Sequence, residues 1–318
     1  MTSLFDFGNG LVGWIVGESL LPPDRFSVAE WLLLPATAIM VLVITLEFFF
    51  PAVRRGWNRQ HLLTTTHFLV AAKVSLFSFV TAPAMQWLWI RFNLPSLHLD
   101  ETLHPVAFVV VALLVYSLID YWAHRVLHRV PLLWHVHKIH HAPRQLTWAS
   151  TFQEHFAMTV TSAPLLTVST LLLGTHLVPP WGSVYILVNY LQHANVSFRF
   201  GWLNYIFALP EIHRYHHERN PKYYDTNFSG GIMLWDHVFG TFVYDPAHPA
   251  TDFGLDEEVP MSWYQQQIAP LRWIAHDVWN SRRLRALTGR GEPGAAVTPT
   301  SPTTPATTPS TTAVETGH

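Results

Sequence analysis

From His155 to Phe198 the chain runs without a single Asp, Glu, Lys or Arg, about twice the ~20 apolar residues that one crossing of a bilayer needs. A hairpin of two spans accounts for this run, with "GTHLVPPWG" at 174–182 as its turn. Upstream, a first span covers Trp31–Phe50 and is stopped by Pro51, Arg54, Arg55 and Arg59. A second covers His67–Ile90, with Lys73 near enough to an end to snorkel, and a third covers Leu103–Trp122. Composition agrees: charged residues make up 13% of the chain, against about 25% in a soluble domain. The expected fold is an all-α integral membrane protein of about four to five transmembrane helices.

Arginines 54 to 59 place their end of the first span in the cytoplasm. Span two then exits, span three returns, and the hairpin goes out and back. Residues 124–154, and everything after Ser197, therefore fall on the cytoplasmic side. Residues 1–27 carry Asp6 and no positive n-region, which reads as an interfacial lead-in and not as a cleaved signal. Spans one and two occupy 28–104, and 105–245 hold the remaining spans and most of the histidines. Residues 246–290 mix Trp, Ile and Leu with Arg as an interfacial amphipathic segment. Residues 291–318, mostly Pro, Thr, Ala and Gly, are expected to be a disordered tail.

With 20 histidines and no cysteine, any metal here must be held by imidazole or carboxylate. His124 and His128 stand four apart. His137, His140 and His141 form H-x-x-H-H, and His213, His216 and His217 repeat it in "HRYHH". On a helix, residues at i, i+3 and i+4 share a face, so each group aims its imidazoles together. Eight such ligands are too many for one ordinary site, and two metals are the simpler reading; iron, zinc, copper and nickel all accept imidazole. The crossing count puts all three groups on one membrane face, as a histidine-rich di-metal helical cap on the cytoplasmic side. Isolated histidines (His61, His67, His98, His104, His176, His248, His276 and His318) are expected as anchors or hydrogen-bonded core residues. The net charge of -2, without Lys/Arg blocks, excludes a nucleic-acid partner. A non-catalytic metal-binding or transport protein is the competing class, but transport strings ionisable residues through the spans. Here they cluster at one end.

The segments "DYWAHRVLH", "LWHVHKIHH", "PEIHRYHH" and "DTNFSGGIMLWDHVFGT", in this order, resemble the fatty acid hydroxylase superfamily of membrane di-iron enzymes, which includes sterol desaturases and lipid hydroxylases. The resemblance covers about residues 105–245 and marks them as the catalytic domain. It implies metal-ligand roles for His124, His128, His137, His140, His141, His213, His216 and His217, and matches His193 in "QHANVS" to a further family histidine. It also implies two iron ions, with zinc possible in recombinant material, dioxygen as co-substrate, and electrons from a separate donor protein. The reaction it implies is hydroxylation or desaturation of a hydrophobic lipid, with a sterol or hopanoid substrate as the alternative.

Ligating imidazoles need a partner on the second nitrogen, so Asp120, Glu211, Asp225 and Asp236 are expected beside the metal ligands. Ser150, Gln153 and Phe156 replace a threonine, an arginine and a proline that many relatives carry, and Ser197 stands where some have another histidine. These departures bear on the substrate, not on the metal boxes. His135, His155 and His237 lie near the boxes but match no ligand position.

Overall fold

The computed structural model describes residues 34–53, 63–67, 84–158, 168–169, 171–174 and 188–281. The lead-in at 1–27, the arginines at 54, 55 and 59, the middle of the second span, most of the hairpin with its turn, and the tail at 291–318 lie outside the described residues. Among the described residues the fold is helical, with no strand and three isolated antiparallel bridges: Pro51 to Val196, Phe207 to Ile232 and Glu218 to Phe253. The helices are α1 (Leu34–Phe49), α2 (Leu99–Thr102), α3 (Pro105–Arg129), α4 (Pro131–His141), α5 (Pro210–His216), α6 (Leu234–Val238) and α7 (Trp263–Asn280). Described residues up to His276 form one compact unit and those from Asp277 a second.

One helix among the described residues is long and apolar enough to cross a membrane, Val106–Arg129, and Ala38–Phe49 is a shorter apolar helix. Pro105 opens α3 at its first turn, where a missing N–H costs nothing, and His104 Nδ1 accepts from Val106 N at 3.3 Å. The sequence expectation ended this span at Trp122; the helix instead continues for about two further turns to Arg129. His124 and His128 therefore ride on the end of a continuous rod. Its packed stripe, Phe108, Ala112 and Tyr116, meets Leu173, while Val106 and Val110 face outward, as on a helix whose surroundings are apolar.

Two X-Pro steps set where the histidine helices begin. Val130 is extended ahead of Pro131 (φ -95°, ψ 112°), and Leu209 is extended ahead of Pro210 (φ -85°, ψ 169°). A proline forbids the helical conformation to the residue before it and favours helix after it, so α3 stops and α4 restarts at a new angle. Ile212 and Tyr215, both buried, fasten the other faces of α5: Ile212 against Val188, Ala208 and Met233, Tyr215 against Leu146, Tyr223 and Phe253.

Polar contacts join the distant segments. Glu47, on the apolar α1, accepts through Oε2 from Trp148 N at 2.8 Å and Asn195 N at 3.1 Å. Residues 50–53 also pair with 195–197 through Ser197 N to Phe50 O at 2.8 Å and Ala52 N to Asn195 O at 3.0 Å. The segment carrying His193 is thereby tied to the end of α1.

The expected amphipathic C-terminal segment forms α7, and its buried face is polar. Gln266 Oε1 lies 2.6 Å from His67 Nε2 while Gln266 Nε2 donates to Pro260 O at 2.7 Å. Gln267 Oε1 accepts from Phe156 N at 2.7 Å and its carbonyl accepts from His155 Nε2 at 2.9 Å. Trp273 lies beneath the Lys138 ammonium, with Lys138 Nζ 3.8 Å from the ring centroid and 2.8 Å from Glu257 Oε2. Replacing Gln266, fully buried, by Ala leaves the buried His67 Nε2 without this partner, at a cost of about 1–3 kcal/mol. Gln266→Ala is expected to lower the thermal unfolding midpoint of the detergent-solubilised protein; an unchanged midpoint would show that α7 is not docked through this residue.

Candidate metal centre

Nine histidines converge in two groups. His124, His128, His137, His141 and His216 form one, and His140, His193, His213 and His217 the other, with the ligand atoms of each group all within 4.8 Å of one another. The groups share a wall: the His141 and His217 rings stack at 4.4 Å, and His137 and His140 lie at 5.3 Å.

The sequence reading aimed each box at one point, and the structure divides two of the three boxes. On α4, His137 and His141 enter the five-membered group and His140 the four-membered one. On α5, His213 and His217 enter the four-membered group and His216 the five-membered one. At about 100° per residue, i+4 lies some 40° to one side of i while i+3 lies about 60° to the other. An H-x-x-H-H box therefore has two aims, and two such boxes used with opposite assignments fill two sites at once. The i, i+4 pair on α3 goes wholly to the five-membered group, and His193 makes up the fourth member of the other.

Ring tautomers show what these groups require. His124 Nδ1 lies 2.7 Å from Phe228 O and His216 Nδ1 lies 2.8 Å from Thr226 O. A carbonyl only accepts, so both Nδ1 atoms carry the proton and both Nε2 atoms present bare lone pairs. His216 Nε2 is buried with no hydrogen-bond partner among the described residues, as are His128 Nε2 and His141 Nε2. In the other group, Thr151 Oγ1 donates to Asn189 O at 3.2 Å and meets His193 Nδ1 at 3.0 Å, so His193 Nδ1 donates to it. His193 Nε2 then faces the Nε2 atoms of His213, His140 and His217 at 2.9, 3.1 and 3.2 Å. One lone pair forms at most one hydrogen bond here, whereas a cation bonded at about 2.0–2.1 Å accommodates ring nitrogens roughly 2.9–3.4 Å apart. The donor set fits a metal ion in each group, and imidazole donors suit transition metals.

Electrostatics point the same way. Burial, and then the neighbouring imidazoles, hold His137, His141, His213 and His217 well below the ordinary value of 6.5. Burial and His124 lower His216, and His140 is lowered to about 3. These rings are neutral at physiological pH, the state a metal requires.

Three of the four expected carboxylates hold backbone N–H groups. Asp236 is fully buried, yet its oxygens accept from Phe228 N, Ser229 N and Thr241 Oγ1 at 2.7–2.9 Å. Asp120 Oδ2 accepts from Gly230 N at 3.2 Å, and Glu211 Oε2 from Phe200 N and Asn204 Nδ2. Asp225 Oδ1 does approach an imidazole, His128 Nδ1 at 3.8 Å, while its other oxygen meets Arg129 at 3.3 Å. The acceptors that hold the ring N–H groups are mainly backbone carbonyls of 226–228 and the Thr151 hydroxyl. No residue type announces a carbonyl, so the sequence carried no signal for the first two.

His155 donates from Nε2 to Gln267 O and accepts at Nδ1 from Ala157 N at 3.2 Å, which uses both nitrogens. His237 bonds Tyr205 O at 3.0 Å, and His135 packs on Trp273. None of the three joins either group. A cleft of about 920 Å³ is lined by residues that include Ile44, Phe48, Phe198, Glu211 and Arg214, and by none of the nine histidines.

The fatty acid hydroxylase family model matches residues 109–241. An ornithine lipid hydroxylase, OlsE, from Rhizobium tropici is 34% identical over 169 residues, covering 52% of this chain and 51% of that protein. Human alkylglycerol monooxygenase is 32% identical over 147 residues, covering 42% and 32%. A very-long-chain aldehyde decarbonylase from Oryza sativa is 28% identical over 163 residues, covering 50% and 60%. The chain thus spans about half the length, or less, of the first of these relatives. No solved structure matches.

The depressed histidines fix a pH response of the metal-stripped protein. Above 6.5 they are neutral whether folded or unfolded. Between 6.5 and the folded value, about 3 for His140, only the unfolded chain takes up protons, so stability falls with pH by at most about 1.4 kcal/mol per unit for each group. Metal-free protein is expected to melt progressively earlier from pH 7 to 5 and metal-loaded protein much less so; a flat apo profile would contradict the burial of these rings.

Proposed function

We propose that the chain is a membrane-bound non-haem di-iron oxygenase of the fatty acid hydroxylase type, which oxidises a C–H bond of a lipid; the fatty acid hydroxylase family model that matches residues 109–241 supports this reading. The observation that carries this is the pair of buried imidazole groups, five and four strong, whose inward lone pairs need cations. His124, His128, His137, His141 and His216 are the ligands of one ion. His140, His193, His213 and His217 are the ligands of the other. Iron is the metal the family implies, and zinc can take its place in recombinant material. When bound, the iron pair supplies the redox chemistry by which dioxygen, with two electrons from a separate donor and two from the C–H bond, yields a hydroxylated lipid and water.

The chain's own residues contribute geometry and exclusion. Burial of the rings removes water that would compete for the metals. Phe228 O, Thr226 O and Thr151 Oγ1 hold three Nδ1 protons away from the centre, leaving Nε2 for the metal. The names of the relatives favour a glycerol- or amino-acid-based lipid over a sterol as substrate. Lipid extracts from cells with and without the active gene are expected to differ by species one oxygen heavier. His140→Ala and His216→Ala, one from each group, are expected to abolish that difference and reduce bound iron from about two per chain, while His155→Ala retains both. Active enzyme without transition metal would end this reading.

In this reading α3 crosses the bilayer with its histidine end in the cytoplasm; its length and apolar composition support the crossing. The chain has no cysteine, so a single introduced thiol reports its own side. Glu101 and Asp256 are well exposed. Glu101→Cys is expected to react with an impermeant maleimide from outside intact cells and Asp256→Cys only after lysis; labelling of both from one side would exclude the crossing.

A further inference from the structure

Resting on the metal-pair reading above, we propose that Asp236 is a positioning residue for the five-imidazole group, acting through the backbone of residues 225–229. This loop reaches three of that group's five rings. Phe228 O receives His124 Nδ1, Thr226 O receives His216 Nδ1, and the Asp225 carboxylate stands beside His128. All three rings belong to the same group. The four-imidazole group is supported elsewhere, by Thr151 on His193.

The loop does not hold this shape by propensity. Asp225 and Asn227 both sit in the left-handed region, at φ 58° and 52°, where a side chain costs energy unless its surroundings fix it. Asp236 is the main fixture, with Oδ1 on Phe228 N and Thr241 Oγ1 and Oδ2 on Ser229 N. Every one of these contacts delivers an N–H or O–H. The chain of donors continues outward: Arg125 Nη1 donates to Tyr121 Oη at 2.8 Å, Tyr121 Oη donates to Thr241 Oγ1 at 3.0 Å, and Thr241 donates to Asp236. Asn227 clamps the other side, donating to Ile212 O and Val243 O and accepting from Val243 N. Gly230 N meets Asp120, one helical turn before His124 on α3. Moving the Phe228 carbonyl would free His124 to shift its proton to Nε2, which removes a lone pair from one group only.

Asp236→Asn keeps the size and sets an amide N–H against a donor. With protein loaded with isotopically enriched iron in detergent, the parent is expected to hold about two irons in unlike ligand fields. Asp236→Asn is expected to weaken one ion by about 10–100-fold, so that the iron count falls towards one and one Mössbauer component disappears. His193→Ala is expected to remove the other component. If Asp236→Asn keeps both components unchanged, or loses both in equal proportion, the proposal is wrong. Thr241→Val, which removes a single donor, guards against a variant that fails to fold. It is expected to speed chelator extraction of the same component, and equal extraction of both overturns the proposal. A parent that binds no metal would instead strike the metal-pair reading itself.

Discussion

A buried imidazole with its Nδ1 proton committed to a carbonyl must find a use for the lone pair on Nε2, and this fold brings several such lone pairs together instead of apart. Hydrogen bonds among the rings satisfy at most some of them, because each ring nitrogen has one proton or one lone pair. A cation at the centre of each group removes the conflict. The lengths and breaks of the helices follow from this requirement: α3 runs on past its apolar stretch to deliver two rings, and Pro131 and Pro210 start α4 and α5 where their histidines face the same space.

Several buried or half-buried carboxylates in this protein hold backbone amides. Glu47 fixes Trp148 N and Asn195 N, Glu211 fixes Phe200 N, Asp120 meets Gly230 N, and Asp236 fixes Phe228 N and Ser229 N. Each lies near a segment that presents a histidine or an acceptor for one. The carboxylates thus set the scaffold, while backbone carbonyls and a hydroxyl touch the rings. Asp225, beside His128, is the exception among these carboxylates.

The apolar face of α3 and the polar docking face of α7 contrast. Val106 and Val110 of α3 point outward among apolar side chains, whereas α7 docks by amide side chains on His67, Phe156 N and Pro260 O. A helix that reads as a surface amphipath is attached by its glutamines, with Lys138 seated on Trp273 and paired with Glu257.

The three histidine boxes, the absence of any thiolate alternative, the apolar α3 and the clustering of histidines into groups that could hold metal were legible in the sequence, because ligand type and helical spacing are local properties. His193 was legible only through the family resemblance, since it has no histidine partner on its own face. Tertiary structure alone decided how the boxes divide. The 100° step separates i+3 from i+4, but only the packing of α3, α4 and α5 determines which ring joins which group. It also decided that Thr151, Thr226 and Phe228, unremarkable as residue types, would supply the acceptors, and that Asp236 would act one step behind them. Backbone carbonyls are present at every residue, so their selection is a matter of loop geometry that no residue pattern specifies.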